Sequence, residues 1–114
     1  MRITGAIEFV DAVDQVSAAT LRIRLQDVSK ADGSATILAE EAIHGISVPA
    51  NGESVPFALE VAALDPSGIF AIEAHLDQTG SGEVTTGDFV TTEHFPVDPH
   101  VETQHITVRV RQIQ

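Results

Sequence analysis

Thr20-Leu21-Arg22-Ile23-Arg24-Leu25-Gln26-Asp27-Val28 sets Leu21, Ile23 and Leu25 against Arg22, Arg24 and Gln26. Side chains two apart lie on one face of a pleated strand, so this stretch predicts an apolar face for a core and a charged face for solvent. The same period recurs on either side. Ile3, Gly5, Ile7 and Phe9 alternate with Arg2, Thr4, Ala6 and Glu8, and Val55, Phe57, Leu59 and Val61 alternate with Ser54, Ala58 and Glu60. Pro56 cannot donate a ladder hydrogen bond, which makes Ser54 to Val61 an edge strand. Past the turn Asp65-Pro66-Ser67-Gly68, Phe70, Ile72, Ala74 and Leu76 oppose Ala71, Glu73, His75 and Asp77, the second set being read as an outer face.

Three further segments complete the pattern. Ala35 to Ile43 places Ile37, Ala39 and Ile43 at strand spacing, although Leu38-Ala39-Glu40-Glu41-Ala42 would also suit a helix, and it is read as a strand. Thr86 to Phe95 has the threonines and aromatics of a strand without a clean inner face. Ile106, Val108 and Val110 alternate with His105, Thr107, Arg109 and Arg111 within a last strand spanning Val101 to Ile113. About seven strands divided by Gly-, Pro-, Asn- and Asp-rich turns predict a single all-β domain over residues 1–114. Its expected form is an antiparallel β-sandwich of the immunoglobulin-like or transthyretin-like kind. A chain of 114 residues with 43% apolar content feeds one core and leaves none for a second domain.

Charge and composition narrow the function. The 17 acidic side chains against 6 basic ones give a formal charge of -11, which repels phosphate backbones and anionic membranes, so nucleic acid is not an expected partner; the charge leaves room for a protein partner without identifying one. Cysteine is absent, which removes disulfides, thiolate metal sites and cysteine nucleophiles. No apolar run reaches membrane-spanning length, and the opening Met1-Arg2-Ile3-Thr4-Gly5 passes straight into an alternating strand instead of a signal peptide, so no direct membrane insertion is expected. There is no Gly-x-Ser-x-Gly elbow, no serine tied to a histidine and no phosphate loop, since neither Lys nor a helix follows Gly80 and Gly82. Catalysis is not expected. Glu40 and Glu41 fall on opposite strand faces, and one of them needs a partner if it turns toward the core.

One stretch has the spacing of a metal site. Asp77-Gln78-Thr79-Gly80-Ser81-Gly82-Glu83-Val84-Thr85-Thr86-Gly87-Asp88 matches a twelve-residue calcium loop, with side-chain oxygens at positions one, three, five and twelve and a glycine at six. Asp77, Thr79, Ser81, Glu83 through its carbonyl, and Asp88 are the candidate calcium ligands. Hydroxyls replace carboxylates at Thr79 and Ser81, and Asp88 is shorter than the glutamate that ends a strong loop, so any affinity should be on the order of 10⁻⁴–10⁻³ M. A Gly- and Ser-rich hairpin connection between two strands would read the same way. The histidines His44, His75, His94, His100 and His105 form no ligand pair at metal spacing and are read as scattered surface residues.

Leu21 to Asp32, followed by Ile37-Leu38-Ala39-Glu40-Glu41, resembles the signature stretch of the YbaY/YscW-like family. Val55-Pro56-Phe57-Ala58-Leu59 with Leu64-Asp65-Pro66, and Thr91-Thr92-Glu93-His94-Phe95-Pro96-Val97, resemble its later pieces in the same order. The resemblance spans about residues 3 to 97. It implies a small β-sandwich, often periplasmic and lipid-anchored, in a family that includes pilotin-like chaperones for outer-membrane secretin assembly, and it implies no catalytic residues. This chain differs from that pattern in showing no lipoprotein signal and in continuing past Pro96 into a strand that could cover a sheet edge.

Overall fold

A computed structural model describes residues 1–10, 16–48 and 54–114. Eight strands are present among them: β1 (Arg2–Val10), β2 (Val16–Asp27), β3 (Thr36–Val48), β4 (Ser54–Glu60), β5 (Phe70–Asp77), β6 (Phe89–Thr91), β7 (Pro96–Val97) and β8 (Thr103–Gln112). The alternation read from the sequence is realised in β1, β2 and β8. Leu21, Ile23 and Leu25 of β2 are fully buried, as are Ile3 and Ile7 of β1 and Val108 and Val110 of β8, while their neighbours are half-buried or exposed. Ala35 to Ile43 lies in a strand rather than a helix, because its partner β2 takes up its hydrogen bonds along a register from Val16↔Val48 to Asp27↔Thr36.

The strands form one hydrogen-bonded sheet in the order β3-β2-β5-β6-β8-β1-β4, with β7 added beside β5. Two features differ from the expectation of seven antiparallel strands. The segment Thr86 to Phe95 does not make one strand. Instead β6 and β7 pair antiparallel with opposite ends of β5, at Leu76↔Phe89 and Ala71↔Pro96, and the chain between them bulges away from the same edge before the Phe95 carbonyl accepts the Ile72 N–H at 2.9 Å. The first and last long strands, β1 and β8, run parallel from Arg2↔Thr103 to Val10↔Arg111. That pairing also corrects the role expected of the last strand. Lying between β6 and β1, β8 covers no edge. The edges are β3 and β4, as Pro56 foretold for β4.

A sheet with one apolar face must curl to bury it. Here the curl brings β3 and β4 so near that the barrel almost closes, and the carboxylate of Glu41 spans the seam by accepting the Ala58 N–H at 3.1 Å. Glu41 shares a rung with inward-facing Ile23, so it is the glutamate that turns toward the core, and the free amide of an edge strand is its partner. Glu40, on the other face, pairs with Arg24.

The core joins Phe9, whose ring meets that of Phe89 edge to face at 5.3 Å, with the aliphatic side chains of β2, β5 and β8. Gly5 belongs to the inward set of β1 because nothing larger fits: a Cβ there would lie 1.8 Å from the Ile106 carbonyl oxygen and 2.7 Å from the Phe57 ring. Gly5→Ala should therefore push β1 away from β8 and lower unfolding free energy by about 3 kcal/mol, the upper end for overpacking. Urea denaturation of the variant checks this, and a midpoint equal to wild type would show that the β1–β8 contact is not as close as described.

Candidate functional site

Two places carry chemistry or shape beyond the core. The first is a groove of about 470 Å³ where the seam between β3 and β4 opens beyond the Glu41 bridge. Its walls are Leu38 on β3 and Val61, Ala62, Ala63 and Leu64, which follow β4, with Phe70 at its base. Leu38 reaches it through a bulge: Leu25 pairs with Ala39 and Gln26 with Ile37, so Leu38 has no partner rung and is left 42% exposed. Phe70 is fixed from behind by the turn foreseen at residues 65–68. Gly68 donates to the Asp65 carbonyl at 3.0 Å, and its missing Cβ leaves the space that the Phe70 ring fills.

Three carboxylates, Asp27, Glu60 and Asp65, edge this groove. Asp27 and Asp65 each sit in an Asp-x-Ser turn, where one carboxylate oxygen accepts both the N–H and the hydroxyl of the serine two residues on, Ser29 and Ser67 respectively. The Ser29 hydroxyl and amide hold the Asp27 carboxyl below the usual range, and the Ser67 amide and hydroxyl do the same for Asp65.

The second place is the loop that leaves β5. The loop folds back over the end of β5, so His75 and Asp77 of the outer set are buried there while Glu73 stays half-buried. The expectation of surface histidines therefore fails at His75, which is 3% exposed. Asp77 and Asp88 are buried too, at 1% and 0%. A buried carboxylate is tolerated only when its oxygens are engaged. One Asp77 oxygen accepts from Thr79 N–H at 3.2 Å, Thr79 Oγ1 at 3.2 Å and Gly80 N–H at 2.9 Å. The other accepts from Gly82 N–H at 2.8 Å and from Arg22 Nη1 at 2.9 Å. Asp88 accepts from Gln78 N–H at 3.1 Å, from Thr85 N–H at 3.1 Å and pairs with His75 Nε2 at 2.7 Å.

The structure thus brings together four of the expected oxygens in sequence. Asp77 Oδ1 lies 3.2 Å from Thr79 Oγ1, Thr79 Oγ1 lies 2.9 Å from Ser81 Oγ, and Ser81 Oγ lies 3.4 Å from the Glu83 carbonyl oxygen. Gly82 at the sixth position has the positive φ of 82° that the sharp turn requires, and Gly80 has 75°. Asp88 has an oxygen within 4.8 Å of Asp77 and of His75, but it is turned to His75 and to loop amides. Arg22 and His75 are the residues that spacing within the loop could not identify. His75 and Asp77 share one strand face, and Arg22 comes from the neighbouring strand, through the rung Arg22↔His75.

Burial pushes the Asp77 carboxyl up, but the amides of Gly82 and Gly80, the Thr79 hydroxyl and the Arg22 guanidinium outweigh it and hold it below the usual aspartate range. A group with a depressed folded pKa contributes stability that is complete above its unfolded value and is lost as pH falls through the folded one. Wild type should accordingly lose more stability than Asp77→Asn as pH is lowered below about 4, whereas at pH 7 the Asn variant should be less stable by about 3 kcal/mol because Arg22 loses its counterion. Denaturation curves of both proteins from pH 7 to pH 2 check the sign, and parallel curves would count against it.

No curated protein matches the chain. The structure of an alternative pilotin from the type II secretion system of Vibrio cholerae superposes with a TM-score of 0.71 at 23% identity, covering 100% of this chain and 97% of that one, a likeness of fold. The last strand, expected to lie outside the family pattern, is inside it, since the sequence profile of one family runs through residues 1–109 and so into β8. That profile is described as type III secretion system lipoprotein chaperone, YscW, and the chain belongs to this family.

Proposed function

We propose that this protein is a non-catalytic assembly factor of a secretion system, which holds a segment of a secretin in the groove between Leu38 and Val61–Leu64. The observation that carries the reading is the groove itself. It is a hollow where the curled sheet fails to close between β3 and β4, walled by apolar side chains, Leu38, Val61–Leu64 and Phe70, with carboxylates at its edge. A family of secretion chaperones and a pilotin of the same fold support it. An exposed leucine that becomes buried against a partner is worth about 1.5–3 kcal/mol, so Leu38→Arg should weaken binding by roughly ten- to hundredfold. The test coexpresses the protein with the secretin of the same genome and scores secretin multimers. Leu38→Arg and Ala63→Arg should each reduce multimers while leaving the melting temperature unchanged, because both positions are exposed. Full multimer yield with both variants would remove the groove from the function.

A second reading concerns the 77–88 loop, favoured by the succession of oxygens from Asp77 to the Glu83 carbonyl. We propose weak calcium binding there, with Asp77, Thr79, Ser81, Glu83 and Asp88 as the candidate ligands. Arg22 already supplies positive charge to Asp77, so calcium competes with a guanidinium that is part of the fold. A native-state ligand stabilises by mass action, and 10 mM calcium at a dissociation constant of about 10⁻³ M adds about 1.4 kcal/mol. Calcium against chelator should raise the melting temperature by a few degrees, about 4–8 °C per kcal/mol for a domain near this size, and Arg22→Gln should enlarge the shift. Identical melting with calcium and chelator in both proteins ends this reading.

A further inference from the structure

The acidic rim of the groove has no complement within its own lining. Asp27, Glu60 and Asp65 edge it, and no basic side chain is among the residues that line it. Asp27 and Asp65 come from separate parts of the chain, yet lie near enough for the Asp65 charge to act unfavourably on Asp27. Each commits one oxygen to the serine of its own turn, and the other has no partner among the described residues. The nearby cations do not neutralise the set: Arg2 bridges Glu60 at 3.2 Å between two exposed side chains, Lys30 acts on Asp27, and neither pairs with Asp65.

Resting on the reading that the groove holds a partner segment, we infer that this segment is apolar at its centre and carries lysine or arginine at its flanks. Leu38, Val61 and Leu64 with Phe70 offer contact to apolar side chains, while Ala62 and Ala63 let a second backbone come close. The unpaired oxygens of Asp27 and Asp65 stand where flanking ammonium or guanidinium groups would relieve their mutual repulsion. The serine hydrogen bonds that hold both carboxyls below the usual range keep the rim charged into acid. A net charge of -11 steers a basic segment toward the surface as a whole, and the rim fixes where it stops.

The test uses three short peptides with one shared core of leucine and valine, flanked by lysines, serines or glutamates, each titrated by fluorescence anisotropy against the whole protein. The lysine peptide should bind at least about tenfold tighter than the serine peptide at low salt, and the glutamate peptide weakest. The gap should shrink at about 0.5 M salt, where screening cuts in within a few ångströms. Asp27→Asn with Asp65→Asn keeps the oxygens that Ser29 and Ser67 donate to and removes the charge, so it should abolish the lysine preference and leave serine-peptide affinity intact. Equal affinity for all three peptides, or a lysine preference that survives the double variant, overturns the inference and leaves the groove reading standing. Absence of binding by any peptide, with Leu38→Arg indistinguishable from wild type, overturns both.

Discussion

One sheet has to enclose one interior, and everything distinctive about this protein follows from how nearly it succeeds. With apolar side chains on a single face, the sheet buries them only by curling until its edges approach. The edges that meet are β3 and β4, and they meet imperfectly. Glu41 closes the middle of the seam with a carboxylate on the Ala58 amide, a side chain doing what a ladder bond would do in a closed barrel. Beyond that bridge the strands part, and the unclosed end is the groove. The feature proposed as functional is thus the remainder of a packing problem.

The polar interior at the end of β5 has a different cause. The loop after β5 folds back over the outer face of its last residues, so His75 and Asp77 are trapped beneath it while Glu73 stays half-buried. Burying two carboxylates, Asp77 and Asp88, is costly unless donors surround them. Arg22, His75 and the loop amides are those donors. A loop that was spaced like a metal site is consequently organised first around its own protein donors. Any calcium ion enters a site whose carboxylates already have protein donors.

Holding a partner segment, the function proposed for the groove, asks for an exposed apolar face rather than a reactive group. Leu38 meets that demand through a backbone bulge that presents it, and Val61 to Leu64 meet it by leaving the sheet before the chain turns at Asp65. Two of the rim carboxylates, Asp27 and Asp65, are positioned by the Asp-x-Ser turns that end β2 and precede β5.

Local chemistry determined whatever has a local cause. Alternation around Leu21, Ile23 and Leu25, the breaker Pro56, the turn at Asp65–Gly68 and the loop glycines were all legible, because face, edge and positive φ are set by neighbours in the chain. The sequence also carried the family, through an ordered series of strand motifs. Pairing is a different matter. That β8 lies parallel to β1, that the segment from Thr86 holds only the short β6 before β7 begins at Pro96, that Leu38 sits on a bulge and that Arg22 faces Asp77 all depend on which strands become neighbours. Those adjacencies join residues as far apart as Arg2 and Thr103, and no spacing along the chain encodes them. The all-β character was therefore written in the period of the residues, while the groove, the buried His75 and the occupied carboxylates were decided only when the sheet curled and its edges failed to meet.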